Sequence, residues 1–136
     1  MYVDTQLLFS DSQDLSQTQA AYSSSNIIHW GGGCDWGKGT PTAVIITVDE
    51  AFDSAGAATM VFSLVANADE DLTTTPTILY ATPAIGYAAL TKGKVIVLPI
   101  PQGRIAATDF YFGVTYTIGG ATTTAGTCSA FLAFDF

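Results

Sequence analysis

The sequence predicts an all-β fold, a sandwich or barrel with the jelly roll among its obvious candidates. Roughly seven or eight short segments alternate in polarity or are rich in β-branched and aromatic residues. Turn-forming residues separate these segments at short intervals, and no segment has the spacing of a long amphipathic helix. Many short strands joined by turns are typical of antiparallel sandwiches and barrels.

The first part of the chain contains two predicted strands, because polar and apolar residues alternate over 2–9 and a short apolar run follows over 26–30. The turn formers at 10–12 are expected to end the first strand. Segment 13–25 lacks both helical spacing and caps, so we interpret it as a loop or a weak strand. The glycine-dense segment 31–39 predicts an exposed loop or a close backbone crossing.

Segment 42–67 is expected to supply the centre of the core. Its first arm, 42–48, is apolar on both alternating faces, which predicts a strand in the middle of a sheet. Its second arm, 57–67, has the alternation of a half-buried strand. An acidic connection, 49–56, joins the arms, so we interpret them as neighbouring strands of a central hairpin.

The remaining elements are predicted from the same signals. They are, in chain order, a solvated acidic turn over 69–76, a strand over 77–81, a helical turn or loop over 83–91, and strands over 94–100, 109–118 and 127–136. Pro99 and Pro101 cannot donate to a hydrogen-bond ladder, so the strand over 94–100 is expected to end there or to lie at a sheet edge.

Length and composition indicate one domain, 1–136, with apolar residues to spare. Hydrophobic residues make up 49% of the chain and the mean hydropathy is +0.36, yet no apolar run reaches the ~18 residues of a membrane span. Charged residues are only 12%, against about 25% in an average soluble domain. The apolar surplus and low charge predict a chain that works in an assembly, as a homo-oligomer.

The charges that remain argue against a nucleic-acid partner. The formal net charge is -8 with only four Lys and Arg, so direct binding of nucleic acid is not expected. The chain starts without a basic and apolar leader, which predicts maturation in the cytoplasm.

Cys34 and Cys128 are far apart in sequence and form no CxxC pair, so we expect reduced thiols and neither a zinc nor a redox site.

No catalytic constellation is found, so we predict no enzyme, no cofactor and no metal site. His29, the only histidine, lies in an apolar strand and is interpreted as structural. No Gly-x-Ser-x-Gly elbow is present, and the glycine run at 31–33 lacks the spacing of a phosphate loop. The acidic clusters 49–53 and 69–71 could bind Ca²⁺, but neither has EF-hand spacing, and we interpret them as solvated turns.

Trp30 and Trp36 flank the glycine loop and leave two functions open. Exposed tryptophans could stack on a sugar ring, which would make the chain a carbohydrate-binding β-sandwich. Buried in a contact with a partner, the same rings would act as interface anchors.

Four stretches resemble a family of small capsid cement proteins from short-tailed bacteriophages related to the Bordetella phages. They are DTQLLFSD at 4–11, VDEAFDSAGAAT at 48–59, LPIPQG at 98–103 and YTIGGATTTAG at 116–126. The resemblance extends from Asp4 to Asp135, although segment 30–39 does not follow the family's pattern. These motifs are structural and contain no catalytic signature.

The resemblance implies a jelly-roll sandwich that decorates the outer capsid surface, often as a homodimer, and bridges neighbouring major capsid subunits. We therefore expect a capsid cement or decoration protein whose partner is the phage major capsid protein. The carbohydrate-binding module remains the alternative. Because aromatic residues commonly dominate interface energies, Trp30, Trp36 and Phe52 are the predicted anchors of the capsid or oligomer contact.

Overall fold

The computed structural model describes residues 7–29, 35–36, 42–100, 103–104 and 108–134, which are mostly β-strand. The strands are β1 (Leu8–Asp14), β2 (Ala21–Ser23), β3 (Ile28–His29), β4 (Asp35–Trp36), β5 (Thr42–Ser54), β6 (Thr59–Asn67), β7 (Thr77–Ala81), β8 (Ile85–Gly86), β9 (Val95–Pro99), β10 (Gly103–Arg104), β11 (Tyr111–Gly119) and β12 (Thr123–Phe134). A 3₁₀ turn spans Tyr87–Ala89. Within the described ranges, no helix is long and apolar enough to cross a membrane.

Two antiparallel sheets form the sandwich. Sheet A has the strand order β1-β12-β5-β9, and sheet B has the order β2-β11-β6-β7, with β3 also beside β11 and β8 also beside β6. β4 and β10 form a separate two-stranded sheet. In the two main sheets, counting β2 with β3 and β7 with β8 as single positions gives eight positions, which the chain visits as 1-8-3-6 in sheet A and 2-7-4-5 in sheet B. This interleaving of early and late strands is the order of a jelly roll. The predicted all-β, jelly-roll-like sandwich is confirmed.

The main core lies between the two sheets. Phe9 of sheet A meets Phe112 of sheet B edge to face, with ring centroids 5.5 Å apart. Phe62 and Tyr116, neighbours within sheet B, are 5.8 Å apart in the same arrangement. Full burial of such a side chain contributes roughly 1.5–3 kcal/mol. The largest fully buried side chains are Tyr116, Phe9, Phe62, Phe112, Leu15, Ile46, Met60, Leu64, Leu72, Leu90, Leu98 and Val44.

The position of β5 follows from its two apolar faces. Val44, Ile46 and Val48 point into the main core. Ala43 and Ile45 point to the other side of sheet A and form a second small cluster with Phe131, Ala133 and the partly buried Leu8. β5 lies between β12 and β9, so the predicted mid-sheet placement is confirmed.

The predicted central hairpin is wrong, because β5 and β6 lie in different sheets. The acidic segment that was expected to connect them continues the strand as far as Ser54, paired with β12. The true connection is 55–58, which crosses from sheet A to sheet B. Both arms can point an apolar face at the same core from opposite sides, so alternation alone does not distinguish a hairpin from a crossover.

Other boundaries also differ from the sequence-based expectations. β1 does not end at 10–12 but runs through it to Asp14, with register shifts against β12 and a positive φ of 48° at Ser12. The weak segment 13–25 contains β2, and the last strand begins at Thr123. The edge placement of β9 and the short strand β7 are confirmed. Predicted positions 2–6 and 135–136 lie outside the described residues.

Candidate interaction surface

The two lateral edges of the sandwich differ, and the first is closed by hydrogen bonds between the sheets. We call the side formed by β1 and β2 the closed edge. The backbone N–H of Asn26 donates to the carbonyl oxygen of Phe9 over 2.8 Å. Gln13 Nε2 donates to the carbonyl of Ser23 over 3.0 Å, and Gln13 Oε1 accepts the backbone N–H of Ser25 over 2.9 Å. Sheet-edge polar groups that would otherwise face solvent are therefore partnered within the chain.

A buried chain of hydroxyl groups reinforces the closed edge. Ser10 Oγ donates to Gln13 Oε1 over 2.7 Å, since an amide oxygen only accepts. The hydroxyl of Tyr116, 2.8 Å from Ser10 Oγ, is therefore the donor to Ser10. Burial raises the pKa of Tyr116 well above its usual range, so this hydroxyl stays protonated. The hydrogen bonds from Tyr116 to Ser10 and from Ser10 to Gln13 therefore tie β11 of sheet B to β1 of sheet A.

The opposite side, formed by β7 and β9, is the open edge. Within the described ranges, β9 pairs only with β5 and β7 pairs only with β6, while Cα atoms of β7 and β9 come within 8 Å of one another. Among the residues whose burial the structure describes, the exposed large hydrophobic side chains all lie on these two strands. They are Ile78, 61% exposed, Tyr80, 38%, Val95, 53%, and Val97, 39%.

The backbone of β9 limits how a partner can use the open edge. The backbone N–H of Ile100 donates to the carbonyl of Thr42, and the carbonyl of Lys94 accepts from the backbone N–H of Val48. The backbone N–H and C=O groups of the even-numbered residues of β9 therefore point towards β5. At Pro99 the backbone nitrogen points away from β5, so its missing N–H removes no hydrogen bond between β9 and β5. It also removes a donor that an added strand would use, which protects the edge from open-ended sheet growth.

Charged residues lie at the two ends of the open edge. Lys92 and Lys94 are exposed beside the start of β9, where Gly93 N donates to the carbonyl of Val48. Asp69 and Glu70 are exposed in the turn after β6, beside the start of β7. β5 and β6 run in opposite directions because the four-residue segment 55–58 joins them at one end of the sandwich. The lysines lie towards that end and the acidic pair lies at the other.

The acidic turn is ordered by its own side chains. Asp71 accepts hydrogen bonds from the backbone N–H of Thr73 over 2.9 Å and from the hydroxyls of Thr73 and Thr74 over 2.6 Å each. These bonds, led by the Thr73 hydroxyl, lower the pKa of Asp71 to about 2. Leu72 is fully buried and packs over Gly113, where an added Cβ would lie 2.5 Å from Leu72 Cδ1. Leu72 therefore anchors the turn to sheet B.

The candidate metal and catalytic residues do not converge. Among the residues that the structure describes, no group of three or more His, Cys, Asp or Glu is placed to hold a metal. Asp49 Oδ2 accepts a 2.5 Å hydrogen bond from Ser129 Oγ across sheet A. His29 is exposed and stacks on Tyr111, with ring centroids 4.7 Å apart and an interplanar angle of 25°.

The predicted anchors are not brought together on the described surface. Phe52 is only 5% exposed and its ring packs against Gly126 in the main core, so a partner would reach little of it. Trp30 lies outside the described residues. Trp36 belongs to β4, which pairs with β10, and the position of its side chain is not described. No described contact favours the carbohydrate-binding alternative.

The exposed side chains of the open edge were missed at the sequence level, although a signal was present. Segment 94–100 is apolar on both faces and is limited by prolines. An edge strand that is apolar on both faces must expose one of them, so Val95 and Val97 could have been inferred. Ile78 and Tyr80 carried a weaker signal, since a five-residue strand does not indicate which of its faces is buried.

Cys128 is free and fully buried, which confirms the predicted reduced thiol at this position. Burial, with the neighbouring Asp49 carboxylate as a smaller cause, raises the pKa of Cys128 to about 12. A thiol that remains protonated is a poor nucleophile. Cys34 lies outside the described residues.

Comparison with known proteins gives one family. Residues 9–132 match a protein-family model described as Bbp16. The match runs from β1 into β12 and so includes both the closed and the open edge. No curated protein matches the chain.

Proposed function

Since this chain belongs to the Bbp16 family of Bordetella phage proteins, we propose that it is a cement protein on the outer surface of a phage head. Family membership is the observation that carries the proposal. The stretches that resemble capsid cement proteins, 48–59 among them, fall largely within the matched residues. The chain would be made in the host cytoplasm and would then join the virion.

The physical properties of the chain support a structural role. Charged residues are only 12%, and four large hydrophobic side chains are exposed on the open edge. Contiguous exposed apolar surface commonly marks a site of protein contact, and Val95 and Val97 are neighbours on one face of β9. The partner that fits a cement role is the major capsid protein, bound where two of its subunits meet.

The proposed action is to add contacts across the boundaries between capsid subunits. A bound molecule that touches two subunits gains avidity, because its second contact forms at a high effective concentration set by geometry. Such avidity can raise affinity by roughly 10²–10⁴. The chain should therefore bind an assembled lattice far more tightly than free capsid subunits, and it should oppose the pressure of packaged DNA.

Add-back to stripped heads tests the proposal. The protein is removed from virions and purified heads are mixed with it again. We expect co-sedimentation with heads, little binding to free capsid subunits, and a higher temperature of genome release. Mass spectrometry of intact virions should find the chain at a copy number comparable to that of the major capsid protein.

The control is an unrelated β-sandwich of similar net charge, which should neither sediment with heads nor change genome release. If stripped and re-bound heads release DNA at the same temperature, the cement proposal fails. Binding to free subunits as tightly as to heads would remove the bridging mechanism.

A further inference from the structure

The two ends of the sandwich differ in charge. The end at which β5 stops and β6 starts is built from four stretches of chain that connect strands, and we call it the uncharged end. The stretches are 15–20, 55–58, 120–122 and the part 82–91 of the connection between β7 and β9. None of the chain's twelve acidic and four basic residues is among them.

Hydrogen bonds join these stretches into one surface. The backbone N–H of Thr123 donates to the carbonyl of Gln17 over 3.1 Å, which holds 15–20 against the start of β12. The backbone N–H of Tyr87 donates to the carbonyl of Ala58, also over 3.1 Å, which holds 82–91 against 55–58. The uncharged end is therefore continuous across both sheets.

Close packing fixes 55–58 against 120–122. Gly120 has a φ of 76°, and a Cβ added there would clash with the carbonyl oxygen of Ala57. A Cβ added to Gly56 would lie 2.8 Å from the Cβ of Ala121. The two connections are therefore ordered before any partner binds, so a contact with them would lose little conformational entropy.

The uncharged end is open to solvent, and the opposite end is charged. Gln19 and Ala88 are exposed at the uncharged end. At the opposite end, the connections 30–41, 68–76 and 100–110 all contain charged residues. Charged side chains must lose hydration in a contact, and they are depleted in the cores of protein interfaces. In a chain with a net charge of -8, an exposed end without charge therefore indicates a contact surface.

We propose that the uncharged end is a docking surface for the major capsid protein, so that the sandwich stands on the phage head with its strands pointing away from the shell. This inference rests on the proposed cement function, because a molecule that bridges two capsid subunits needs two contact surfaces. The exposed valines of β9 are the candidate for the other. Asp14, Asp53 and Lys92 are exposed beside the uncharged end and form a rim, where their charges stay hydrated.

The size of the uncharged end sets the strength of the contact. Strands about 4.8 Å apart in two sheets about 10 Å apart present, with their side chains, an end of roughly 400 Å². This is about half of what one partner contributes to a standard interface, so a single contact should be no tighter than micromolar. A contact without charges is not screened by salt. The affinity for heads should therefore change less than about threefold between about 0.05 M and 0.5 M NaCl.

Single added charges test the surface. Gln19→Glu is nearly isosteric, and Ala88→Glu adds the same charge on a different connection of the uncharged end. Each should weaken co-sedimentation with stripped heads at least about tenfold, because an unpaired carboxylate would be buried in the contact. Ala68→Glu is the matched control, since it adds the same charge to an exposed position at the opposite end, and it should bind as the wild type does. Circular dichroism and urea unfolding establish that each variant keeps its fold.

Hydrogen exchange locates the contact without any substitution. On heads, the exposed backbone amides of 15–20 and 55–58 should exchange at least about tenfold more slowly than in the free protein. Those of 68–76, at the opposite end, should exchange at the same rate in both states.

The outcomes separate this inference from the cement function. If the wild type binds heads and both Gln19→Glu and Ala88→Glu bind equally well, the docking surface is wrong and the cement function stands. Equal losses in Ala68→Glu and Ala88→Glu, or a tenfold loss of affinity on adding salt, would also exclude the uncharged end as the contact. A wild type that does not bind heads removes both proposals.

Discussion

At the scale of single residues, burial changes the chemistry of Cys128. The side chain is fully buried, and its pKa in the folded protein is raised to about 12, against about 8.5 in an unfolded chain. A raised pKa means that the folded state prefers the protonated thiol. The stability that this preference contributes is complete below about pH 8.5, and it is lost progressively as the pH rises towards 12.

Replacing Cys128 with alanine should therefore remove part of the alkaline sensitivity of the protein. Between about pH 7.5 and 9.5, the free energy of unfolding of the wild type should fall by about 1 kcal/mol relative to that of Cys128→Ala. Urea unfolding at several pH values measures this difference. Parallel stability profiles for the two proteins would mean that Cys128 ionises equally in both states.

At the scale of elements, β5 and β12 fit together through one glycine. Gly126 has a φ of 141°, and it lies where the register between the two strands shifts. An added Cβ would lie 2.4–2.7 Å from three ring carbons of Phe52. The missing side chain lets Phe52 turn into the core, and the strand beyond it continues to Ser54.

Gly126→Ala should consequently lower stability by at least about 2 kcal/mol, because backbone strain and overpacking act together. Gly86→Ala is the matched control: nothing lies within 4 Å of its added Cβ, and its effect should stay within about 0.5 kcal/mol. Adding Phe52→Leu to Gly126→Ala should recover part of the loss. If Gly126→Ala and Gly86→Ala melt at the same temperature, the close contact is not decisive.

The same region explains what the sequence could and could not predict. The existence of β5, its two apolar faces and the edge placement of β9 follow from local alternation and from proline chemistry. The burial of Phe52 does not, because it depends on register shifts and on a glycine far away in the sequence. The acidic residues around Phe52 were interpreted as a turn, which placed its ring on the surface.

The exposed side chains of the open edge were not predicted from the sequence for a related reason. Which strands become edges is decided by pairing across the whole chain, and a local pattern carries no information about the partner of each strand. Val95 and Val97 are exposed because β9 ends sheet A, not because of their own side chains. The anchors proposed from aromatic character alone therefore did not include the side chains that the fold exposes.

At the scale of the whole molecule, the jelly roll makes the last strand indispensable. β12 lies inside sheet A between β1 and β5, so neither of these strands has its main partner until the chain is complete. Contacts between distant parts of the chain are slow to form, because loop closure must precede them.

A chain ending at residue 122 should for this reason fail to fold. We expect circular dichroism without a sheet signal and no cooperative melting transition. A peptide of the sequence Thr123–Phe134 should restore both when it is added, whereas a scrambled peptide of the same composition should not. A truncated chain that melts cooperatively on its own would show that sheet B and the rest of sheet A suffice.

The antiparallel pairing of β1 with β12 also fixes how the protein responds to pulling. Leu8 lies opposite Phe131 and Asp14 lies opposite Thr127, so the outer ends of the two strands meet at the same end of sheet A. Force applied at those two ends would open the ladder like a zipper, one pair of hydrogen bonds at a time. β5 is hydrogen-bonded to β12 on one side and to β9 on the other. Force applied along β5 would therefore have to shear many hydrogen bonds at once. Tension directed along β5 thus meets far more resistance than tension that pulls apart the paired ends of β1 and β12.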